Sequence, residues 1–362
     1  MLYRKYRPKI FSEIFGQEHI VKTLIGALSS KRIGHAYLFT GPRGTGKTTM
    51  ARLFAKALNC KNPQKNGDAD DKCDNCKLVN EGRFLDLIEI DAASNRGIDE
   101  IRSVKDTAIV SSSMGGYKVF IVDEVHMLTA HAFNALLKIL EEPPAHVIFI
   151  LATTEPHKVL PTVLSRVQRF DFRKLTITEI FNKLKNISKS EKLSIDDEAL
   201  MAVAMASDGA LRDAEVSLSK IIAWSELGQK ITVSDANAIL GLISYKYYPE
   251  FLNFIITKDS VSALDFIQKL SNDGIDWDSF TLGFIEYLRK ILMFKISPAI
   301  LASAGDSLAN HDLELINKLG VSLNNQIISK IIIDFISAKD LIKNSPLPQL
   351  PIELAVLELC TK

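Results

Sequence analysis

Cysteine, tryptophan and long apolar runs are all scarce in this chain. Four cysteines in 362 residues cannot cross-link a protein of this size. Three of them, Cys60, Cys73 and Cys76, cluster, which in a cytosolic protein points to metal rather than to disulfides. The longest strongly apolar runs, 331–333 and 147–152, fall far short of the ~20 residues of a membrane span. The opening MLYRKYRPKI is basic but lacks the apolar stretch of a secretory signal, so a cytoplasmic protein is expected. Repeats and low-complexity tracts are missing too. So is an excess of charge of one sign: 44 Lys and Arg face 43 Asp and Glu, for a net charge of +1. With 47% hydrophobic and 24% charged residues, a mostly disordered chain is excluded. At ~100–200 residues per domain, two or three domains are expected. The even balance hides an asymmetry. Residues 1–60 hold eleven Lys and Arg against two Asp and Glu, which suits a polyanionic partner, either nucleotide or nucleic acid.

The first half alternates apolar runs with helical spacing. Strands are expected at 36–40, 86–90, 118–122, 147–152 and 168–172, and helices at 47–58, 97–109 and 129–141. Such alternation predicts a parallel sheet covered on both faces, with apolar strands such as VFIV and VIFILA. Pro143 and Pro144 end the helix before them. After Arg173 the strands stop. Helices are expected at 177–193, 196–206 and 211–224, with Thr178 or Asp196 as caps and Ser207-Asp208-Gly209 as a stop. Further helices are expected at 249–256, 260–270, 277–294, 312–342 and 351–359. The fold class is therefore an α/β core with a parallel sheet, then a small α-helical bundle, then an all-α C-terminal domain. The domains are expected at 1–173, 174–240 and 241–362.

Gly41-Pro42-Arg43-Gly44-Thr45-Gly46-Lys47-Thr48 matches G-x-x-x-x-G-K-[ST] in full, between a predicted strand and a predicted helix. Glycines let the loop turn its backbone N–H groups inward onto phosphate oxygens, and the helix adds its positive end. Thr49 continues this cradle. Lys47 suits the β- and γ-phosphates and Thr48 suits Mg²⁺. Asp123 and Glu124 follow the strand 118–122. A carboxylate at the carboxyl end of a parallel strand faces the same crevice. Asp123 is placed to hold Mg²⁺, and Glu124 to orient or activate water, which fits hydrolysis better than transfer to a small acceptor.

These features resemble the AAA+ ATPases. The segments YRKYRPKIFSEIFGQEHI, HAYLFTGPRGTGKTTMARLFAKALNC, FLDLIEIDAASNRGIDEIR, KVFIVDEVHMLTAHAFNALLKILEEPPAHVIFILATTEPHKVLPTVLSR and GALRDAEVSL are, in that order, similar to the gamma/tau family of bacterial DNA polymerase III clamp-loader subunits. The likeness is dense over residues 1 to about 225 and weaker to SPLPQLPIELAVLEL. It implies further roles. Thr154 falls at the family's sensor for the γ-phosphate. Arg166 falls at its arginine finger, which acts on the ATP of a neighbouring subunit. Arg212 falls at its second sensor, and Tyr6, Arg7 and Pro8 at the segment beside adenine and ribose. Val167 stands where the family usually has cysteine, a change expected to affect packing only.

The resemblance also bears on metal. Cys73 and Cys76 have the two-residue gap that turns both thiolates to one ion, and Cys60 supplies a third. The related subunits carry a fourth cysteine where this chain has Asp70. Either Asp70, Asp71 or another group completes a zinc site, or the loop is held by packing alone. In the family the region of Arg96, Arg102 and Lys105 follows the DNA backbone. Arg102 and Lys105 lie three apart, on one helical face. A solvated face balanced by Asp99 and Asp106 is the alternative. The implied function is an ATPase motor that loads a sliding clamp onto primed DNA during replication, in the cytoplasm at the nucleoid. Expected cofactors are ATP, Mg²⁺ and Zn²⁺. Expected partners are delta-type and delta-prime-type subunits in a hetero-pentamer, the sliding clamp and primer–template DNA. A longer form would add the polymerase III core. No membrane partner and no polymerase active site are expected. A non-hydrolysing nucleotide-binding scaffold and a ring helicase or remodeller are the alternatives.

Overall fold

Five parallel strands form one sheet in the order β2-β3-β4-β1-β5. They are β1 (Ala36–Thr40), β2 (Leu87–Asp91), β3 (Lys118–Asp123), β4 (Val147–Thr153) and β5 (Gln168–Asp171). The computed structural model describes residues 1–114, 116–224, 230–241, 247–297 and 324–361. All five expected strands are present. β2 starts one residue later than expected; the Asp86 carbonyl still accepts from the Val119 amide of β3 at 2.8 Å, while its buried carboxylate accepts from Ser112 Oγ and from the amides of Ser113 and Met114.

The strand sequences explain the layering. Side chains alternate across a sheet, so a strand covered on both sides must be apolar throughout. In β1, β3 and β4 the odd and even residues enter two separate cores. Tyr37, Phe39, Val119, Ile121, Ile148 and Ile150 pack on one face with Met50 and Phe54. Leu38, Phe120, Val122, Phe149 and Leu151 pack on the other with Ile101, Val104 and Leu136. The edge strands β2 and β5 are the partly exposed ones, as their mixed sequences LIEID and QRFD require.

The chain divides into two compact units, Met1–Lys192 with Val203–Ser219, and Leu193–Ala202 with Lys220–Lys362. In the first unit, α1 (Leu2–Lys5) and α2 (Glu18–Ser29) precede the sheet. Next come α3 (Lys47–Leu58), α4 (Asp74–Asn80), α5 (Ile98–Ile109), α6 (Ala130–Glu141), α7 (Pro161–Leu164) and α8 (Ile177–Ser190). α6 starts at a Thr129 cap and stops before the Pro143-Pro144 pair. The cap of α8 is Thr176 rather than Thr178. Its hydroxyl accepts from the Glu179 amide while the Glu179 carboxylate accepts from the Thr176 amide, a reciprocal capping box. Asp196 directly precedes the helix that starts at Asp197, its carbonyl accepting from the Leu200 amide at 3.1 Å, and its carboxylate pairs with Lys230 at 2.7 Å.

Helices α9 (Asp197–Ala206) and α10 (Leu211–Trp224) have residues in both units. The second unit continues with α11 (Val233–Leu240), α12 (Tyr247–Ile256), α13 (Ser260–Asn272), α14 (Trp277–Ile296), α15 (Asn325–Ile342) and α16 (Leu350–Thr361). Its core is aromatic, with Phe251, Phe280, Phe284 and Phe335 in mutual contact. The first part of the helix expected at 312–342, up to 323, lies outside the described residues. Among the described residues no helix is long and apolar enough to cross a membrane.

Candidate active site

The crevice at the carboxyl ends of the strands holds the chemistry. The loop from Gly41 to Gly46 joins β1 to α3. Gly41 takes a φ of +139°, and a side chain there would run into the carbonyl of Phe172. Gly46, at φ +99°, makes the left-handed turn that starts α3. Lys47 is almost fully buried and donates to the carbonyls of Gly41 (2.8 Å) and Pro42 (2.9 Å). Burial lowers its pKa, opposed by the charges of Glu124 and Asp123. Thr45 Oγ1 donates to Pro42 O at 2.8 Å, fixing the loop from within. Thr48 Oγ1 donates to Asp123 Oδ2 at 2.7 Å, so the two residues expected at Mg²⁺ meet. A hydroxyl and a carboxylate oxygen are the hard donors Mg²⁺ prefers, and each retains a lone pair here.

Glu124 sits in the left-handed region (φ +48°, ψ +46°), unusual for a residue with a side chain. The turn directs its carboxylate to Thr154. Oε2 accepts from the Thr154 hydroxyl at 3.0 Å and from its amide at 3.2 Å. His126 stands behind this pair. Its Nδ1 lies 2.9 Å from Thr153 Oγ1 and 3.4 Å from Glu124 Oε2, and its Nε2 lies 3.5 Å from Glu155.

A cavity of about 490 Å³ opens beside these groups. Arg43, Gly44, Thr45, Gly46, Lys47, Thr48, Thr49, Asp123 and Glu124 form the phosphate side of its wall, and Arg7, Pro8 and Arg212 also line it. Gly41 and Pro42 act from behind, through their carbonyls. Tyr6 is not in the wall. Its carbonyl accepts from Lys183, and Tyr3 lines the cavity instead, with the Arg212 guanidinium 5.0 Å from its ring centre. Arg166 is outside the cavity. It is held by Glu141 (2.8 Å) and by the Thr162 carbonyl (2.7 Å), half exposed at the end of α7. Val167 packs against the sheet core.

Two wall residues had no motif to announce them. Gln17 is buried and brackets Arg173, its amide donating to the Arg173 carbonyl at 2.8 Å and its carbonyl accepting the Arg173 N–H at 3.3 Å. Glu215 is a buried carboxyl whose pKa burial pushes up to about 7, against the pull of Lys183 and Arg7. The folded chain keeps a proton there that the unfolded chain releases near 4.5. Its contribution to stability is therefore complete below about 4.5 and is lost as pH rises through about 7. Thermal melting should show the gap between Glu215→Gln and wild type widening in the variant's favour from pH 5 to pH 8. A gap independent of pH contradicts this account.

Away from the cavity, Cys60, Asp70, Cys73 and Cys76 bring four donor atoms within 4.8 Å of one another. Cys60 Sγ lies 3.3 Å from Asp70 Oδ1 and 4.0 Å from Cys73 Sγ. The amides of Cys73 and Lys72 hold the Asp70 carboxyl well below the usual carboxylate range. Asp71 turns elsewhere, pairing with the buried Lys56 of α3 at 2.6 Å. Three thiols and an ionised carboxylate at this spacing fit one tetrahedral ion. Of the expected DNA contacts, Arg96 is exposed and donates to Ala93 O (2.8 Å), Arg102 pairs with Asp99 (2.9 Å), and Lys105 is exposed on the same helix.

Residues 16–176 match the family model "DNA polymerase III, delta subunit", and residues 231–362 match "DNA polymerase III subunits gamma and tau domain III". DNA polymerase III subunit gamma of Buchnera aphidicola (Acyrthosiphon pisum) is 35% identical over 361 residues, 99% of this chain and 97% of that protein. This chain belongs to the DNA polymerase III gamma/tau family. The tau subunit of Bacillus subtilis is 45% identical over 83% of this chain, and that of Escherichia coli 39% over 84%. These matches take in 53% and 47% of the tau proteins, so the chain spans about half the length of those relatives. In this gamma/tau chain the P-loop, the strand-end carboxylates and Arg212 line one cavity.

Proposed function

We propose that this chain is an ATP-hydrolysing motor subunit of a clamp loader, which places a sliding clamp on primed DNA. The observation that carries the reading is the division of labour around one cavity. Lys47, Thr48, Asp123, Glu124 and Arg212 line it, Thr154 positions Glu124, and Arg166 lies outside. The triphosphate would lie along the loop amides and Lys47. Thr48 and Asp123 would hold Mg²⁺, which supplies charge neutralisation at the phosphates. Glu124 orients the attacking water and takes up its proton, with Thr154 fixing which way its carboxylate points. Arg212 meets the phosphates from the same chain, and Arg166 serves the cavity of a neighbouring copy. The test is ATP turnover by the reconstituted complex. It should rise when delta-type and delta-prime-type subunits, clamp and primer–template DNA are all present. Turnover indifferent to clamp and primed DNA speaks against the motor reading.

The three-part organisation at 1–173, 174–240 and 241–362 belongs to this reading, with the last part forming the collar of a mixed pentamer in the cytoplasm, at the nucleoid. A longer form would reach the polymerase core. Zinc is the ion proposed at Cys60, Asp70, Cys73 and Cys76, where it would fasten a polar loop to α4. Purified protein should carry one zinc per chain, and Cys73→Ser should lose it. Unchanged metal content removes the proposal. Arg96, Arg102 and Lys105 are proposed to contact DNA phosphates without reading bases. Neutralising Arg102 and Lys105 together should lower the slope of log affinity against log salt by about two, roughly one per lost contact. An unaltered slope assigns them to a solvated face.

A further inference from the structure

The phosphate chemistry leaves one buried group in the cavity wall unused. Glu215 is 6% exposed and lines the cavity, and what acts on its carboxyl is burial and the charges of Lys183 and Arg7, not a hydrogen bond. It projects from the same face of α10 as Leu211 and Arg212, one turn further along. A carboxyl so deeply buried, with cations near it but no hydrogen bond, is costly unless a donor comes to it.

The charges around it show which part of a nucleotide that is. Lys47 interacts with Asp123 and Glu124, whereas Glu215 interacts with Lys183 and Arg7. The charges acting on Glu215 are thus not those of Lys47, Asp123 and Glu124 around the phosphate loop. A carboxylate repels phosphate in any case. Pro8, Ile14, Phe15, Leu175 and Leu211 supply apolar wall suited to the face of a base. Lys183 is itself buried, donates to the Tyr6 carbonyl at 3.2 Å and lies 5.3 Å from the Phe15 ring centre. The nucleoside half of ATP offers few donors: the exocyclic amine of adenine and the two ribose hydroxyls.

We propose that Glu215 is a specificity-determining residue, accepting a hydrogen bond from the adenine amine or from a ribose hydroxyl and so selecting nucleotides that carry that donor. The inference rests on the ATP reading above. Both protonation states of the carboxyl keep an acceptor oxygen, so the contact survives around neutrality.

The experiment measures the affinity of the full chain in its reconstituted complex for four triphosphates: ATP, 2′-deoxy-ATP, 3′-deoxy-ATP, and purine riboside triphosphate, which lacks the amine. Wild type should bind one of the three analogues about 10–100-fold more weakly than ATP. Glu215→Leu should weaken ATP by a similar factor while binding that analogue as wild type does. Glu215→Gln, which keeps an acceptor, should stay within a few-fold of wild type. Wild type binding all four alike overturns the proposal whatever the variants do. So does Glu215→Leu losing the same factor for every nucleotide, or losing none for ATP. Wild type that binds no triphosphate overturns the ATP reading itself, and the proposal with it.

Discussion

Arg166→Ala is expected to reduce stimulated ATP turnover roughly 10³–10⁵-fold, the range for a trans-acting arginine on a transferring phosphoryl group. ATP affinity should change little. Arg166 does not line the cavity of its own chain, and its guanidinium is occupied by Glu141 and the Thr162 carbonyl. Its removal leaves the loop, Lys47 and Arg212 intact. Arg166→Lys should recover only part of the loss, because an ammonium cannot reproduce the planar fork. Single-turnover kinetics with saturating ATP check this. A variant that loses binding and turnover together contradicts the assignment, because that pattern belongs to a residue of the chain's own cavity.

Glu124→Gln carries the second large effect, a loss of roughly 10²–10⁴-fold in turnover with ATP binding retained. The amide keeps the shape and can still meet Thr154, but it cannot take a proton from water. Thr154→Val should show a smaller loss of the same kind. It removes the hydroxyl that holds Oε2 at 3.0 Å and leaves the amide contact at 3.2 Å. Filter binding beside the turnover assay separates the two quantities. If Glu124→Gln turns over at the wild-type rate, water activation belongs elsewhere in the site.

What could be read from sequence followed the range of the interaction involved. The P-loop is contiguous, and its geometry is a property of glycine φ angles over eight residues. The strands of the sheet core were legible because burial on both faces forces an unbroken apolar run. Asp123 and Glu124 followed from their place at the end of one of these. Contacts across long stretches of chain were not legible. Gln17 meets Arg173 over 156 positions, and no local pattern signals a glutamine with that task. Tyr3, rather than Tyr6, lines the cavity because α1 turns the first residues as a short helix, which four residues cannot advertise. Glu215 looks in sequence like any acid on a helix. The charges of Lys183 and Arg7 that act on it come from distant parts of the chain.

Other misses had signals that were present. Thr176-Ile177-Thr178-Glu179 contains the T-x-x-E spacing of a capping box, which marks Thr176 and not Thr178 as the cap. Helix α2 has Ile20 and Leu24 buried four apart, an ordinary amphipathic period. The choice among Asp70, Asp71 and another group needed three dimensions. Asp71 takes a φ of +55° and turns to Lys56, leaving Asp70 beside the thiols.

In the proposed motor, the nucleotide of one copy is completed by the Arg166 of another. Mixing chains tests this directly. Complexes built from Lys47→Ala chains alone, or from Arg166→Ala chains alone, should be nearly inactive. Built from an equal mixture, they contain seams where an intact Lys47 of one chain faces an intact Arg166 of the other, so stimulated ATP turnover should reappear. If the mixture stays as inactive as either parent, Arg166 does not act across subunits and the motor mechanism described above is wrong.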